Sequence, residues 1–144
     1  MLLQTIIKRL APKKLFLIDG IGALLSAFLL GAIWTRFENI FGMPRSALYI
    51  LALLPCFFAI YDFICYFKIK ENWSPFLKVI AFANLLYCLI SIGFLFNHYQ
   101  QLTVLGLIYF FLELLIVILL AGIELKMAAY WANKKDGGGL DQKT

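Results

Sequence analysis

Long apolar segments dominate the chain, and short polar breaks separate them. Four segments of 21 to 24 residues, at 15–35, 47–67, 76–97 and 102–125, consist almost entirely of apolar side chains. At a rise of about 1.5 Å per residue, about 20 helical residues cross the roughly 30 Å hydrocarbon layer of a bilayer. The breaks hold glycine, proline and asparagine, which interrupt helices. The pattern predicts an all-α fold, an integral membrane four-helix bundle over residues 15–131.

The two ends of the chain have a different pattern. Within residues 1–14, apolar side chains recur at helical spacing, at Leu3, Ile6, Ile7 and Leu10. Pro12 ends the pattern, which predicts a short interfacial amphipathic helix. A cleaved signal peptide is less favoured, because the apolar run that follows lacks a clear small-x-small cleavage site. Residues 132–144 have no periodicity and contain three consecutive glycines, which predicts a disordered cytoplasmic tail.

The positions of the basic residues predict the orientation of the bundle. Of the 13 lysines and arginines, eleven fall on the side of the membrane that holds both termini, and only Arg36 and Arg45 fall on the other. Cytoplasmic loops carry an excess of lysine and arginine. We therefore expect a multi-pass protein of the cell membrane with its N-terminus and C-terminus in the cytoplasm.

Composition excludes several classes of protein. Of 144 residues, 63% are hydrophobic and 15% charged, whereas soluble domains have about 25% charged residues and at most about half apolar ones. The formal net charge is +5, but no basic strip with interleaved aromatic residues lies outside the apolar segments, so no nucleic-acid partner is expected. The expected partner is the lipid bilayer. A homo-oligomer is also compatible with this pattern.

Ionisable groups inside membrane helices are costly and usually face protein or water, so they indicate where a site would lie. Four carboxylates fall within the predicted spans, at Asp19, Asp62, Glu113 and Glu124. On the third span, Asn84 and Tyr87 lie on one face of the helix. On the fourth span, Tyr109 is one turn from Glu113, and Glu124 points in nearly the same direction as Glu113. The candidates for ligand binding or a proton relay are Glu113, Asp19, Asp62, Asn84, Tyr87 and Tyr109. We expect Glu113, Asn84 and at least one of the two aspartates to line one polar pocket open toward the cytoplasm.

Each carboxylate also has a structural interpretation. Asp19 shares a ridge with small residues at four-residue spacing, at Ala23, Ala27 and Gly31, and this ridge predicts close packing against another helix. Asp62 can instead pair with Lys68 or Lys70 near the interface. Glu124 can be an interfacial residue paired with Lys126 or another lysine.

Other chemistries lack the residues they need. The chain has one histidine, His98, and no C-x-x-C pair among its three cysteines, which argues against a metal site. Ser91 and His98 have no acidic partner at their end of the helix, so a catalytic triad is not expected. No phosphate-binding loop is present. We therefore expect no cofactor, and we interpret the cysteines as packing residues.

Three functional hypotheses remain. In the first, the protein moves a proton, ion or small solute through the polar cluster. In the second, it is a structural or accessory membrane subunit without chemistry of its own. In the third, it binds or modifies a lipid-like substrate, so an enzymatic role is open but less favoured. Water-accessible carboxylates would favour the first, a dry and fully paired interior the second, and a lateral cleft the third.

Overall fold

The computed structural model describes residues 1–138, and within them every regular element is a helix. The helices are α1 (Leu2–Arg9), α2 (Pro12–Phe28), α3 (Glu38–Phe41), α4 (Arg45–Lys68), α5 (Ser74–Asn97) and α6 (Val104–Gly138). A π-helical segment, Leu29–Trp34, continues α2. Four helices are long and apolar enough to cross a membrane: α2 with its π-helical segment, α4, α5 and α6. The predicted all-α four-helix membrane bundle is confirmed.

The bundle consists of two tightly packed helix pairs. Helix α2 packs along α4, and α5 packs along α6, whereas α4 and α5 share a smaller contact and α2 and α6 barely touch. Two glycines bring α2 close to α4. A Cβ atom added at Gly20 would lie 3.2 Å from Cβ of Asp62, and one added at Gly31 would lie 3.3 Å from Cβ of Ala52. Small residues thus set the distance between α2 and α4. Gly31, which belongs to the predicted ridge, contacts α4.

The loops at the end opposite the termini tie the two pairs together. The Thr103 hydroxyl lies 2.6 Å from the carbonyl oxygen of Ile40 and 2.9 Å from that of Phe41. The same hydroxyl oxygen accepts a hydrogen bond from the Gly106 amide at 3.2 Å, which caps the start of α6. Gly42 has φ +87° and packs directly against the carbonyl oxygen of Gln101, so no side chain fits there.

Apolar side chains form two separate core clusters, one near each end of the bundle. The far-end cluster, opposite the termini, includes Leu30, Phe41, Leu48, Leu51 and Phe110. The near-end cluster includes Leu15, Phe16, Leu77, Ile80 and Met127. On each long helix, the buried carboxylate or amide residues lie between the positions that contribute to these two clusters. A polar layer therefore separates two apolar ones.

Several helix boundaries differ from the predicted ones. Helix α2 begins at Pro12, because proline fits the first turn of a helix, where its missing N–H is not needed. Helix α6 extends to Gly138, well past the predicted end at 125, since the alanines after Met127 favour helix. It thus runs through residues 132–138 of the predicted tail, and residues 139–144 lie outside the described part. Helix α1 packs against α6 with Ile7 buried.

Candidate functional site

Asn84 joins three helices in the middle of the polar layer. Its side chain is buried on α5, and its Nδ2 atom donates to Oδ2 of Asp19 on α2 and to Oε2 of Glu124 on α6, both at 3.2 Å. The amide group has two N–H bonds, so both are used. Asn84 thereby holds two carboxyl groups from different helices close together.

A third carboxyl group completes this carboxyl cluster, which consists of Asp19, Asp62 and Glu124. Asp62 on α4 is fully buried, and its carboxyl group lies within hydrogen-bonding reach of the Asp19 carboxyl group. Among the described residues, no group donates a hydrogen bond to either oxygen of Asp62 or to Oε1 of Glu124. Two carboxyl groups in contact form a hydrogen bond only when one of them carries a proton. A hydrogen bond between Asp19 and Asp62 therefore requires a proton on one of them.

No basic side chain neutralises these groups within residues 1–138. The one ion pair there joins Arg45 to Glu38, at 3.2 Å, in the loop region at the far end. The predicted pairings of Asp62 with a lysine and of Glu124 with Lys126 are not formed. Residues two apart on a helix point to nearly opposite sides, so Lys126 is exposed while Glu124 is 1% exposed.

Glu113 forms a second polar group, deeper in the bundle. It is 7% exposed, and its Oε1 atom accepts a hydrogen bond from the Tyr87 hydroxyl at 3.1 Å. Its Oε2 atom is buried and accepts no hydrogen bond within residues 1–138, and the Ser26 hydroxyl lies close to this carboxyl group. Tyr87 is one turn from Asn84 on α5, so a single face of α5 contacts both the carboxyl cluster and Glu113.

A lateral cleft of about 320 Å³ opens between α2 and α6, where these helices barely touch. Apolar side chains form its walls, among them Leu25, Leu112 and Ile116, each more than half exposed on the outer surface. Six polar side chains form its floor, namely Asp19, Ser26, Asn84, Tyr87, Tyr109 and Glu113. The mouth of the cleft therefore faces sideways, toward the position that lipid would occupy.

The two apolar core clusters close the polar layer toward both ends of the bundle. Phe16 and Leu77 lie on the side of the termini, and Phe41 and Phe110 lie on the opposite side, all with 1% exposure or less. Protein interiors packed in this way hold few voids larger than a water molecule. The polar floor is therefore reached through the side of the bundle.

The cleft contains five of the six residues that the sequence singles out. The exception is Asp62, which lies behind Asp19 and does not line the cleft. Glu124 was not among the site residues predicted from the sequence. It points within about 20° of Glu113 on the same helix, and this shared direction could have indicated that it faces the polar layer. The sequence argument also missed Phe58, an apolar wall residue with no distinguishing pattern. The roles assigned to these residues stay predictions.

A second, larger depression of about 620 Å³ lies at the end of the bundle that holds the termini. Lysines surround it, including Lys70, Lys78 and Lys134, and these are exposed side chains near helix ends. Such lysines commonly extend toward the membrane surface. Among the described residues, no group of histidine, cysteine, aspartate and glutamate side chains has the arrangement of a metal site.

Comparison with known proteins assigns neither the fold nor the site to a family. The chain matches no protein-family model, no curated protein and no solved structure. Its function must be inferred from the bundle, the cleft and the buried polar groups.

Proposed function

We propose that the protein binds a lipid-like amphiphile in the cleft between α2 and α6, which the molecule enters from the bilayer. The observation that carries this proposal is the sideways mouth with apolar walls and a polar floor. The volume of about 320 Å³ lies at the lower end of the range of roughly 300–1,000 Å³ for ligand pockets. It suits the head of an amphiphile and the first part of its chain, with the rest of the chain in lipid.

Movement of a proton, ion or small solute is the second candidate function. It is supported by the position of Asn84 and Tyr87, which are one turn apart on α5 and contact the carboxyl cluster and Glu113 respectively. A relay between the two groups would use these side chains. The apolar clusters at both ends of the polar layer make this candidate the weaker one, because an ion crossing the bundle must pass them.

A purely structural role fits the interior less well. Buried polar atoms in proteins are nearly always hydrogen-bonded. Within residues 1–138, four carboxyl oxygens, on Asp62, Glu113 and Glu124, are buried without a hydrogen-bond donor. An interior whose polar groups served only to join helices would pair them.

Photo-crosslinking tests whether the cleft binds amphiphiles. The probes share one twelve-carbon chain with a diazirine group and differ in their head, which is an amine, a hydroxyl or a carboxylate. The protein is reconstituted in phosphatidylcholine vesicles, irradiated, and analysed by peptide mass spectrometry. We expect at least one probe to label the cleft walls, at Leu25, Leu112 or Ile116, in excess over the lipid-facing surfaces of α4 and α5.

Two glycine variants provide the matched comparison. A side chain at Gly22 would project into the cleft, and a Cβ atom there meets nothing within 4 Å, so Gly22→Leu should fill the cleft without strain. Gly122→Leu on α6 also meets open space but lies outside the cleft. Labelling of the cleft walls should fall several-fold in the first variant and stay unchanged in the second. Even labelling around the bundle, unaffected by Gly22→Leu, would rule out the proposed function.

A further inference from the structure

We infer that the head of the bound amphiphile is a cation, an alkylammonium group, and that the Glu113 carboxylate holds it at the floor of the cleft. This inference rests on the proposed function and specifies the class of ligand. The expected ligand is thus a long-chain amine rather than an alcohol, a fatty acid or a phosphate ester.

The first support is the charge of the interior. Four carboxyl groups are buried in the polar layer, and no basic side chain of residues 1–138 forms an ion pair with any of them. Burying a carboxylate without a partner is strongly unfavourable. A cationic ligand would supply the missing partner. With a neutral ligand, only protons could neutralise the negative charge of the carboxyl groups.

The second support is the geometry of Glu113. One of its oxygens, Oε1, is fixed by the Tyr87 hydroxyl at 3.1 Å, and the other, Oε2, is buried without a donor. Because Glu113 lines the cleft, a head group at the floor finds an acceptor that is already oriented, with the Ser26 hydroxyl beside it. An ammonium group has donors only, so it matches this acceptor.

The third support is the aromatic surface around the acceptor. Phe58, Tyr87 and Tyr109 line the same cleft as Glu113. The rings of Phe58 and Tyr87 meet edge to face, with centroids 6.2 Å apart. Cations are attracted to the faces of aromatic rings within about 6 Å of the centroid. A carboxylate combined with aromatic rings is therefore suited to an ammonium group with an attached alkyl chain.

The same floor disfavours an anionic head. Asp19 and Glu113 would repel it, and both N–H bonds of Asn84 already bind carboxyl oxygens. No basic side chain lines this cleft within residues 1–138. A carboxylate or phosphate head would therefore enter with like charges nearby and without a cationic partner.

The three crosslinking probes differ only in their head group, so a comparison of their labelling tests this inference. Labelling of the cleft walls is divided by labelling of the α4 and α5 surfaces of the same molecule, which corrects for the amount of each probe in the bilayer. Hydrogen bonds to a charged group contribute more than neutral ones, so the ratio for the amine should exceed that for the alcohol by about tenfold. The ratio for the carboxylate should be the lowest.

Variants then identify the group that holds the amine. Glu113→Gln keeps the shape and the acceptor for Tyr87 but removes the charge, so the amine ratio should fall to that of the alcohol, whose own ratio should not change. Glu38→Gln is the control, because that glutamate is paired with Arg45 at the far end. Asp19→Asn is a second cleft variant for use if Glu113→Gln does not fold, and it should lower the amine ratio in the same direction.

The outcomes separate the two proposals. If all three probes label the cleft walls equally, the cationic head is wrong and the lateral cleft remains a binding site. If none labels the cleft walls, both proposals are wrong. If the amine is preferred but the preference survives Glu113→Gln, or Asp19→Asn where the first variant does not fold, the assignment to this floor is overturned.

Discussion

Replacing Asn84 by leucine should destabilise the bundle by about 1–3 kcal/mol. Leucine has the same branched arrangement of four side-chain heavy atoms as asparagine, so the change removes two hydrogen bonds without opening a cavity. Hydrogen bonds between membrane helices contribute about 0.6 kcal/mol on average and up to about 1.7 kcal/mol each, which for two bonds gives the stated range. In the variant, Asp19 and Glu124 stay buried and lose the N–H donors of Asn84. The more apolar leucine side chain does not compensate for this loss, because a buried acceptor without a donor is unfavourable.

The free energy of unfolding of Asn84→Leu can be measured by titrating the protein in mixed micelles with a denaturing detergent and following the loss of helix by circular dichroism. Asn97→Leu is the control, because Asn97 is exposed at the end of α5. Its unfolding free energy should stay within about 0.5 kcal/mol of the unchanged protein. Equal stability of Asn84→Leu and the unchanged protein would refute the argument that Asn84 joins three helices.

Three further outcomes are expected. In a background without native cysteines, single cysteines at Asn39 and Gln101 should react with an impermeant reagent on intact cells and one at Lys134 should not; the reverse would exclude the predicted orientation. Ala27→Leu should overpack the ridge on α2 and cost about 1–3 kcal/mol of stability, and no loss would place Ala27 in lipid. Gly106→Ala should lower the unfolding temperature, because an added Cβ atom meets the carbonyl oxygen of Phe41 at the end of α3; unchanged stability would show that α3 can move away.

The four spans could be predicted because lipid imposes a simple rule on sequence. Each span must be apolar over about 20 residues, and that property is visible without any knowledge of the neighbours. The end of α6 was harder to place. The helix continues beyond the apolar segment into Asn133 and Lys134, where hydropathy no longer marks it and only helix propensity favours it.

The candidate site was predicted in part, for a similar reason. Ionisable side chains are energetically costly inside a bilayer, so Asp19, Asp62 and Glu113 stand out in the sequence. Helical periodicity then gives the direction in which each one points. Which residues face the cleft depends on which helices separate, and periodicity carries no information on that. The sequence argument therefore placed Asp62 with the others and paired Glu124 with a lysine, whereas the packing of α4 against α2 buries the first and Asn84 binds the second.

The arrangement of the two helix pairs also has a mechanical consequence. The pairs are tied at the far end, where Thr103 and Gly106 contact the end of α3, and they barely touch where α2 faces α6. They are joined at the near end as well, because Phe16 of α2 belongs to one apolar cluster with Leu77 of α5 and Met127 of α6. Helix α1 precedes α2 and packs on α6, so it is a further link between the pairs at that end. The cleft thus lies between two fixed ends, and it can widen only if α2 or α6 bows outward between them.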